Sequence, residues 1–317
     1  MLRRLTARPG ASTVRRLALA SIVANSGIVV TGGAVRLTSS GLGCPTWPRC
    51  TETSYTPTAE YAAHGLIEFG NRLLTFVLTA VVAAGLVAVW RQRPRRDGMR
   101  RLAVLVFLGI PAQAVLGGIT VLTGLNPWTV MGHFLLSMVL IGLAVVLHRR
   151  ASEGDLPPRP TVQPLLRRLA QGLLAVTAVT LVLGTVVTGS GPHSGDRAAA
   201  RTGFDPATVS QLHADSVMLL VGLTVALYVA LRAIEADARL VRATGVLLVV
   251  ELAQGAIGYA QYFTGLPVVL VGLHLAGACV VLVASVRVVL ATRDRGPVGA
   301  GVGATATVPP QLTPQPA

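Results

Sequence analysis

"QAVLGGITVLTGLNPWTVMGH" at residues 113–133 and "QGAIGYAQYFTGLPVVLVGLH" at 254–274 decide the fold. The two stretches align without a gap. Gln113 meets Gln254, Gly117 meets Gly258, the Thr-Gly-Leu triplets at 123–125 and 264–266 coincide, and His133 meets His274. A fainter echo relates "GIVVTGG" (27–33) to "GTVVTGS" (184–190). All four stretches lie in long apolar runs. The chain therefore reads as two similar halves in the same orientation, the arrangement of parallel repeats in some transporters. Such a repeat predicts two related sites, one in each half.

Composition places those halves in a membrane. Of 317 residues, 52% are hydrophobic and 13% charged, and the mean hydropathy is +0.64. Soluble domains carry about 25% charged residues. Apolar runs long enough to cross a hydrocarbon core of about 30 Å as helix recur along the chain. Eight spans are predicted, near 16–36, 60–90, 100–122, 128–148, 166–188, 207–233, 240–262 and 267–291. The fold class is all-α: a polytopic membrane protein with eight transmembrane helices as two pseudo-symmetric four-helix bundles.

The predicted organisation is a cytoplasmic N-terminal tail (1–15), an N-terminal half (16–148), a cytoplasmic linker (149–165), a C-terminal half (166–291) and a disordered C-terminal tail (292–317). The basic start leads straight into the first span, so no cleavable signal peptide is expected. The net charge of +14 does not point to nucleic acid. All 27 basic residues are Arg, and they crowd the gaps between apolar runs, as topology determinants do. The positive-inside rule then puts both termini in the cytoplasm and turns loops 37–59, 123–127, 189–206 and 263–266 outward.

Ionisable side chains inside spans are expensive and mark functional sites. His64, Glu68 and Arg72 lie on the second span, His133 on the fourth, His213 on the sixth and His274 on the eighth. The four histidines all fall in the outward part of an even-numbered span. Imidazoles at matched depth on neighbouring helices suit an axially ligated heme, whose apolar ring fits between helices. Zinc suits them less, since no Cys or carboxylate except Glu68 accompanies them. His64, Glu68 and Asn71 follow i, i+4, i+7 and share a helix face. A buried carboxylate there is suited to proton transfer. Glu68 and Arg72 are also spaced for an ion pair, and a heme propionate is a second partner open to Arg72. His148 reads as interfacial, His193 as a solvated loop residue and Cys279 as a small apolar core residue. Trp47 and Trp128 read as interface aromatics.

The run "TGGAVRLTSSGLGCPTWPRC" (31–50), then "HGLIEFGNR" (64–72) and the histidine stretches "GHFLLS", "QLHADS" and "GLHLAG", resemble the heme A synthase family. "TGSGPHSGD", which lacks cysteines, resembles its actinobacterial-type members. The resemblance implies oxidation of the C8 methyl of heme O to a formyl group, giving heme A for terminal oxidases. It implies a heme b between His213 and His274 in the C-terminal half, and the substrate heme on His133 in the N-terminal half. It makes Glu68 the essential acid, and Cys44 and Cys50 an outward redox-active disulfide. The partners it suggests are a heme O synthase, a thiol-disulfide reductant, the terminal oxidase and a second copy of the chain as a homo-oligomer, in the cell membrane. One departure stands out. Many members have His where this sequence has Asn71; either His64, two turns away on the same face, is the substitute ligand, or the substrate heme is five-coordinate on that side and open to oxidation chemistry. Two other functions compete. A di-heme b-type electron carrier would place hemes near both membrane faces and leaves Glu68 and the cysteines without a task. A transporter would need helices broken at mid-membrane.

Overall fold

The computed structural model describes residues 9–298. Among them are eight helices long and apolar enough to cross a membrane. They are α1 (Ala11–Leu37), α2 (Ala62–Arg91), α3 (Asp97–Leu122), α4 (Pro127–Arg150), α5 (Pro164–Ser190), α6 (Pro206–Ala233), α7 (Ala238–Phe263) and α8 (Val268–Ala291). A one-turn 3-10 helix, Ala59–Tyr61, leads into α2. At 1.5 Å per residue each of the eight exceeds the hydrocarbon thickness. Their flanks carry large apolar side chains turned outward, such as Phe76 (74% exposed) and Val269 (72%). Among apolar lipid chains such exposure carries no hydrophobic cost.

The helix ends follow from local chemistry. Pro127 and Pro206 open α4 and α6 behind capping residues Asn126 and Asp205, which accept from the backbone N–H of Trp128 (3.0 Å) and Thr208 (2.8 Å). The Thr208 hydroxyl also donates to Asp205, and these bonds hold the Asp205 carboxyl below the usual range. The Thr-Gly-Leu triplets are the exits of α3 and α7. Gly124 and Leu125 have φ of 62° and 60°, and Gly265 and Leu266 have 76° and 60°. In each the Leu N–H returns five residues to a helix carbonyl, Thr120 or Gln261. This is a Schellman exit, and the left-handed step after Thr is why Gly recurs there. The repeated sequence thus folds into a repeated turn.

In the N-terminal half α1 packs on α2 and α4, and α3 on α2 and α4; in the C-terminal half α5 packs on α6 and α8, and α7 on α6 and α8. The halves meet along α1, α4, α5 and α8. That seam is an apolar cluster of Ile22, Val29, Met138, Ile141, Ala144, Val145, Cys279, Leu282, Val286 and Leu290. Cys279 is buried there, its Sγ donating to the Leu275 carbonyl.

The end of the bundle that carries both described termini is closed by charge. Arg96 pairs with Asp155 (2.7 Å), Arg150 with Asp155 (3.0 Å) and Arg149 with Glu153 (2.6 Å). The tail expected to be disordered from residue 292 starts as ordered chain. Arg293–Asp294 (β2) pairs antiparallel with Arg159–Pro160 (β1) of the linker, because the linker's backbone groups need partners. Residues 299–317 of that tail, and 1–8 of the N-terminal one, lie outside the described residues.

Ile141 is fully buried in the seam. Ile141→Ala should lower stability by about 2–5 kcal/mol through the cavity it leaves, read as a lower thermal midpoint of the purified protein in detergent.

Candidate functional site

The even-numbered helices bring the predicted residues to matched levels. His133 stands 17 residues before the end of α4 at Arg150, and His274 stands 17 before the end of α8 at Ala291. His213 stands 20 residues before the end of α6 at Ala233. The residue 20 before the end of α2 at Arg91 is Asn71. Asn71 is therefore the positional counterpart of His213.

In the C-terminal half the His213 and His274 rings face each other with centroids 6.3 Å apart and planes at 79°. Imidazole–metal bonds are about 2 Å long, which sets the centroids of a bis-imidazole pair roughly 6 Å apart, so the two rings fit an iron between them. His213 Nδ1 lies 3.1 Å from the Thr180 carbonyl. A carbonyl only accepts, so Nδ1 carries the proton and Nε2 is left for a metal. Glycines make room for the rings. A Cβ at Gly184 would come within 3.1 Å of His213, and one at Gly258 within 3.4 Å of His274.

The N-terminal half repeats one side of this arrangement and changes the other. A Cβ at Gly117 would lie 3.1 Å from the His133 ring, as Gly258 does for His274. Gln113 bridges α3 to α4, donating to the His133 carbonyl (3.0 Å) and to Ser137 Oγ (2.6 Å). Opposite, Asn71 Oδ1 accepts from Thr31 Oγ1 (2.7 Å), so the amide is spent on α1. Gly27, the repeat counterpart of Gly184, has nothing within 4 Å of its Cβ position, because no imidazole lies against it.

Above this level the loop 38–58 folds down onto α2 and α3. Cys44 and Cys50 form a disulfide and are both fully buried. The Cys44 N–H donates to Glu68 Oε2 (2.7 Å), and Arg72 pairs with Glu68 Oε1 (2.6 Å). Arg72 also donates to the carbonyls of Cys44 (2.8 Å), Thr46 (3.1 Å) and Arg49 (3.1 Å). Its guanidinium thus bonds the loop as well as Glu68. Gly43 rides on the His64 carbonyl, where a Cβ would come within 2.3 Å of the oxygen. The Trp47 ring covers Gly118 of α3, so this tryptophan packs as well as faces the membrane surface.

Two sequence expectations meet a different geometry. His64 is exposed, two residues into α2, with Nδ1 2.9 Å from Ser40 Oγ. It stands seven residues outward of Asn71, about 10 Å along the helix, so it does not share the level of His133, His213 and His274. His193 is not a solvated loop residue. Its Nε2 lies 2.9 Å from the Leu266 carbonyl, and its own carbonyl accepts from Arg36 Nε (2.6 Å). With Gly41 N–H donating to the Gly195 carbonyl (2.9 Å), the outer loops of the two halves are stitched together.

Sequence reasoning also passed over Glu251. It is 2% exposed on α7 and accepts from Thr224 Oγ1 (3.0 Å). It was hidden in the run "VLLVVELAQG", where a single acid hardly dents the hydropathy; its place one turn before Gln254 was the available signal. Among the described residues no group of three or more His, Cys, Asp or Glu is arranged to hold a metal ion, so a zinc-type cluster is not formed there.

Replacing Gly43 by Ala should lift the loop from α2, because the obstructing atom is backbone and cannot turn aside. The expected result is faster reduction of the Cys44–Cys50 bond by an added thiol, measured by alkylation of the freed cysteines.

Comparison with known proteins points to one family. The family described as cytochrome oxidase assembly protein, COX15-CtaA, matches residues 15–193. A protein named heme A synthase from Symbiobacterium thermophilum is 30% identical over 183 residues, covering 55% of this chain and 58% of its own length. Another so named, from Lysinibacillus sphaericus, is 32% identical, covering 44% and 45%. A third, from Rhizorhabdus wittichii, is 27% identical over 88% of this chain and 95% of its own length. The match to the first two thus spans about half of those relatives' length.

Proposed function

The chain belongs to the cytochrome oxidase assembly protein family, and on that premise we propose that it is a heme A synthase, oxidising the C8 methyl of heme O to a formyl group. The observation that carries this reading is the single hydrogen-bonded unit of Glu68, Arg72 and the Cys44–Cys50 loop. It sets a carboxylate and a redox-active bond at the mouth of the N-terminal half, above His133. An electron carrier has no use for either.

The two halves take different tasks. His213 and His274 hold heme b, for which their facing rings fit. Its iron, when bound, supplies one-electron redox chemistry. His133 holds the substrate heme O from one side. Asn71, tied to Thr31, is a poor iron ligand and leaves the other side open to the oxidant. His64 positions the loop through Ser40 and is not an axial ligand. Conversion of methyl to formyl proceeds through the hydroxymethyl stage with dioxygen as oxidant; each stage puts one oxygen atom into a C–H bond, releases the other as water and takes up two electrons and two protons, the second giving the hydrated formyl group. Glu68, one oxygen on Arg72 and the other on the Cys44 amide, is the nearby group that supplies protons from the loop side. Thiols formed by reduction of Cys44–Cys50 pass the electrons inward and return to the disulfide. A thiol-disulfide reductant supplies that step, a heme O synthase supplies substrate, and the terminal oxidase takes the product. The protein sits in the cell membrane with both termini cytoplasmic, and its eight helices form two four-helix bundles related by the repeat.

The test is heme extraction and chromatography from membranes that express the chain with a heme O synthase. Heme A or its hydroxymethyl precursor should appear with the intact chain and fall at least about 100-fold in Glu68→Ala, the scale of a lost acid-base group. Heme b alone, despite supplied heme O and reductant, would instead favour the electron carrier.

Two variants separate the roles assigned here. Cys44→Ala should bind heme normally but lose turnover with a thiol donor. His64→Ala should keep the absorption spectrum of the bound hemes, and a changed iron spectrum would restore His64 as a ligand.

A further inference from the structure

At the end of the bundle that carries both described termini, an open groove of about 820 Å³ lies between α6 and α7. Arg232, Arg242 and Glu235 line it together with Val246, Val249 and Tyr228. The volume lies within the range of about 300–1,000 Å³ typical of small-molecule sites. Neither arginine makes an ion pair among the described residues. The wall is apolar and faces the membrane, with Val249 67% exposed. Gly245 lets the Tyr228 ring lie against α7, since a Cβ there would come within 3.2 Å of it.

The repeat supplies a control. Arg232 stands one residue before the end of α6, and its counterpart one residue before the end of α2 is Trp90. Trp90 is covered by the Arg100 guanidinium, 4.8 Å from the ring centroid, and Arg100 donates to the Trp90 carbonyl (2.8 Å). In the N-terminal half an aromatic ring and an arginine satisfy each other at this corner. In the C-terminal half the positions of Trp90 and Arg100 are held by Arg232 and Val241, so that contact is lost and a groove is left.

We infer that this groove binds an anionic glycerophospholipid, its phosphate held between Arg232 and Arg242 and an acyl chain laid along Val246 and Val249. Basic pockets between spans at the cytoplasmic surface are suited to such headgroups. The lining carries two cations and one carboxylate, so one phosphate monoanion brings it to neutrality. A zwitterionic headgroup would leave a net positive charge. This site lies at the opposite end of the bundle from His133 and the cysteine loop, and it does not depend on the reaction catalysed.

The experiment is native mass spectrometry of the delipidated full chain in detergent, titrated with phosphatidylglycerol or with phosphatidylcholine of the same acyl chains. Phosphatidylglycerol should bind roughly ten- to thirty-fold more tightly, the sum expected for two arginines near a headgroup. That preference should vanish in Arg232→Gln/Arg242→Gln. Arg232→Trp, which copies the other half, should reduce binding of both lipids while leaving the thermal midpoint unchanged. Equal binding of the two lipids by the native chain would overturn the inference, as would a preference that survives the double variant. Displacement of bound phosphatidylglycerol by stoichiometric heme O would also overturn it, assigning the groove to the carboxylates of a tetrapyrrole.

Discussion

The cysteine loop is held on α2 by one guanidinium. Arg72 donates to Glu68 and to three carbonyls of the cysteine loop. A planar fork with five N–H donors is the side chain able to satisfy so many acceptors at once. A lysine has three donors and no fixed plane. Through Arg72 the acid on α2 and the disulfide loop become one rigid piece. The close seating of Gly43 on α2 and of Trp47 on α3 completes that piece.

The repeat explains the rest of the interior, and its breaks mark where the halves have diverged. Gly117 and Gly258 keep the same relation to His133 and His274. Gly184 backs His213, whereas Gly27 backs nothing, because Asn71 has replaced the imidazole. One half thus offers two imidazoles to a metal and the other offers one. A cofactor that stays suits the first arrangement, and a substrate that must arrive, react and leave suits the second. A single ligand holds it less firmly and leaves the opposite side clear.

Much of this was legible in the residues. The eight spans came from hydropathy because a hydrocarbon core imposes their length. Their ends differed by a few residues, as with α1, which starts at Ala11 instead of 16, because helices continue into the polar layer. The Glu68–Arg72 pair was legible from its i, i+4 spacing. The bonds from Arg72 to the loop were not, since backbone carbonyls leave no trace in a sequence. The same blindness misjudged His193, whose partners are a carbonyl on a distant turn and an arginine 157 positions away. The match of Asn71 to His213 left no mark in the repeat for another reason. The turn between α2 and α3 is one residue longer than that between α6 and α7, so a gapless alignment does not pair Asn71 with His213.

The apolar cluster between the halves also constrains how they can move. Its side chains are Ile, Val, Met, Leu, Ala and Cys279, drawn from α1, α4 and α8. Close-packed side chains cannot slide past one another without opening voids. A rocking of one half against the other, as in a transporter built from repeats, would have to break this packing first.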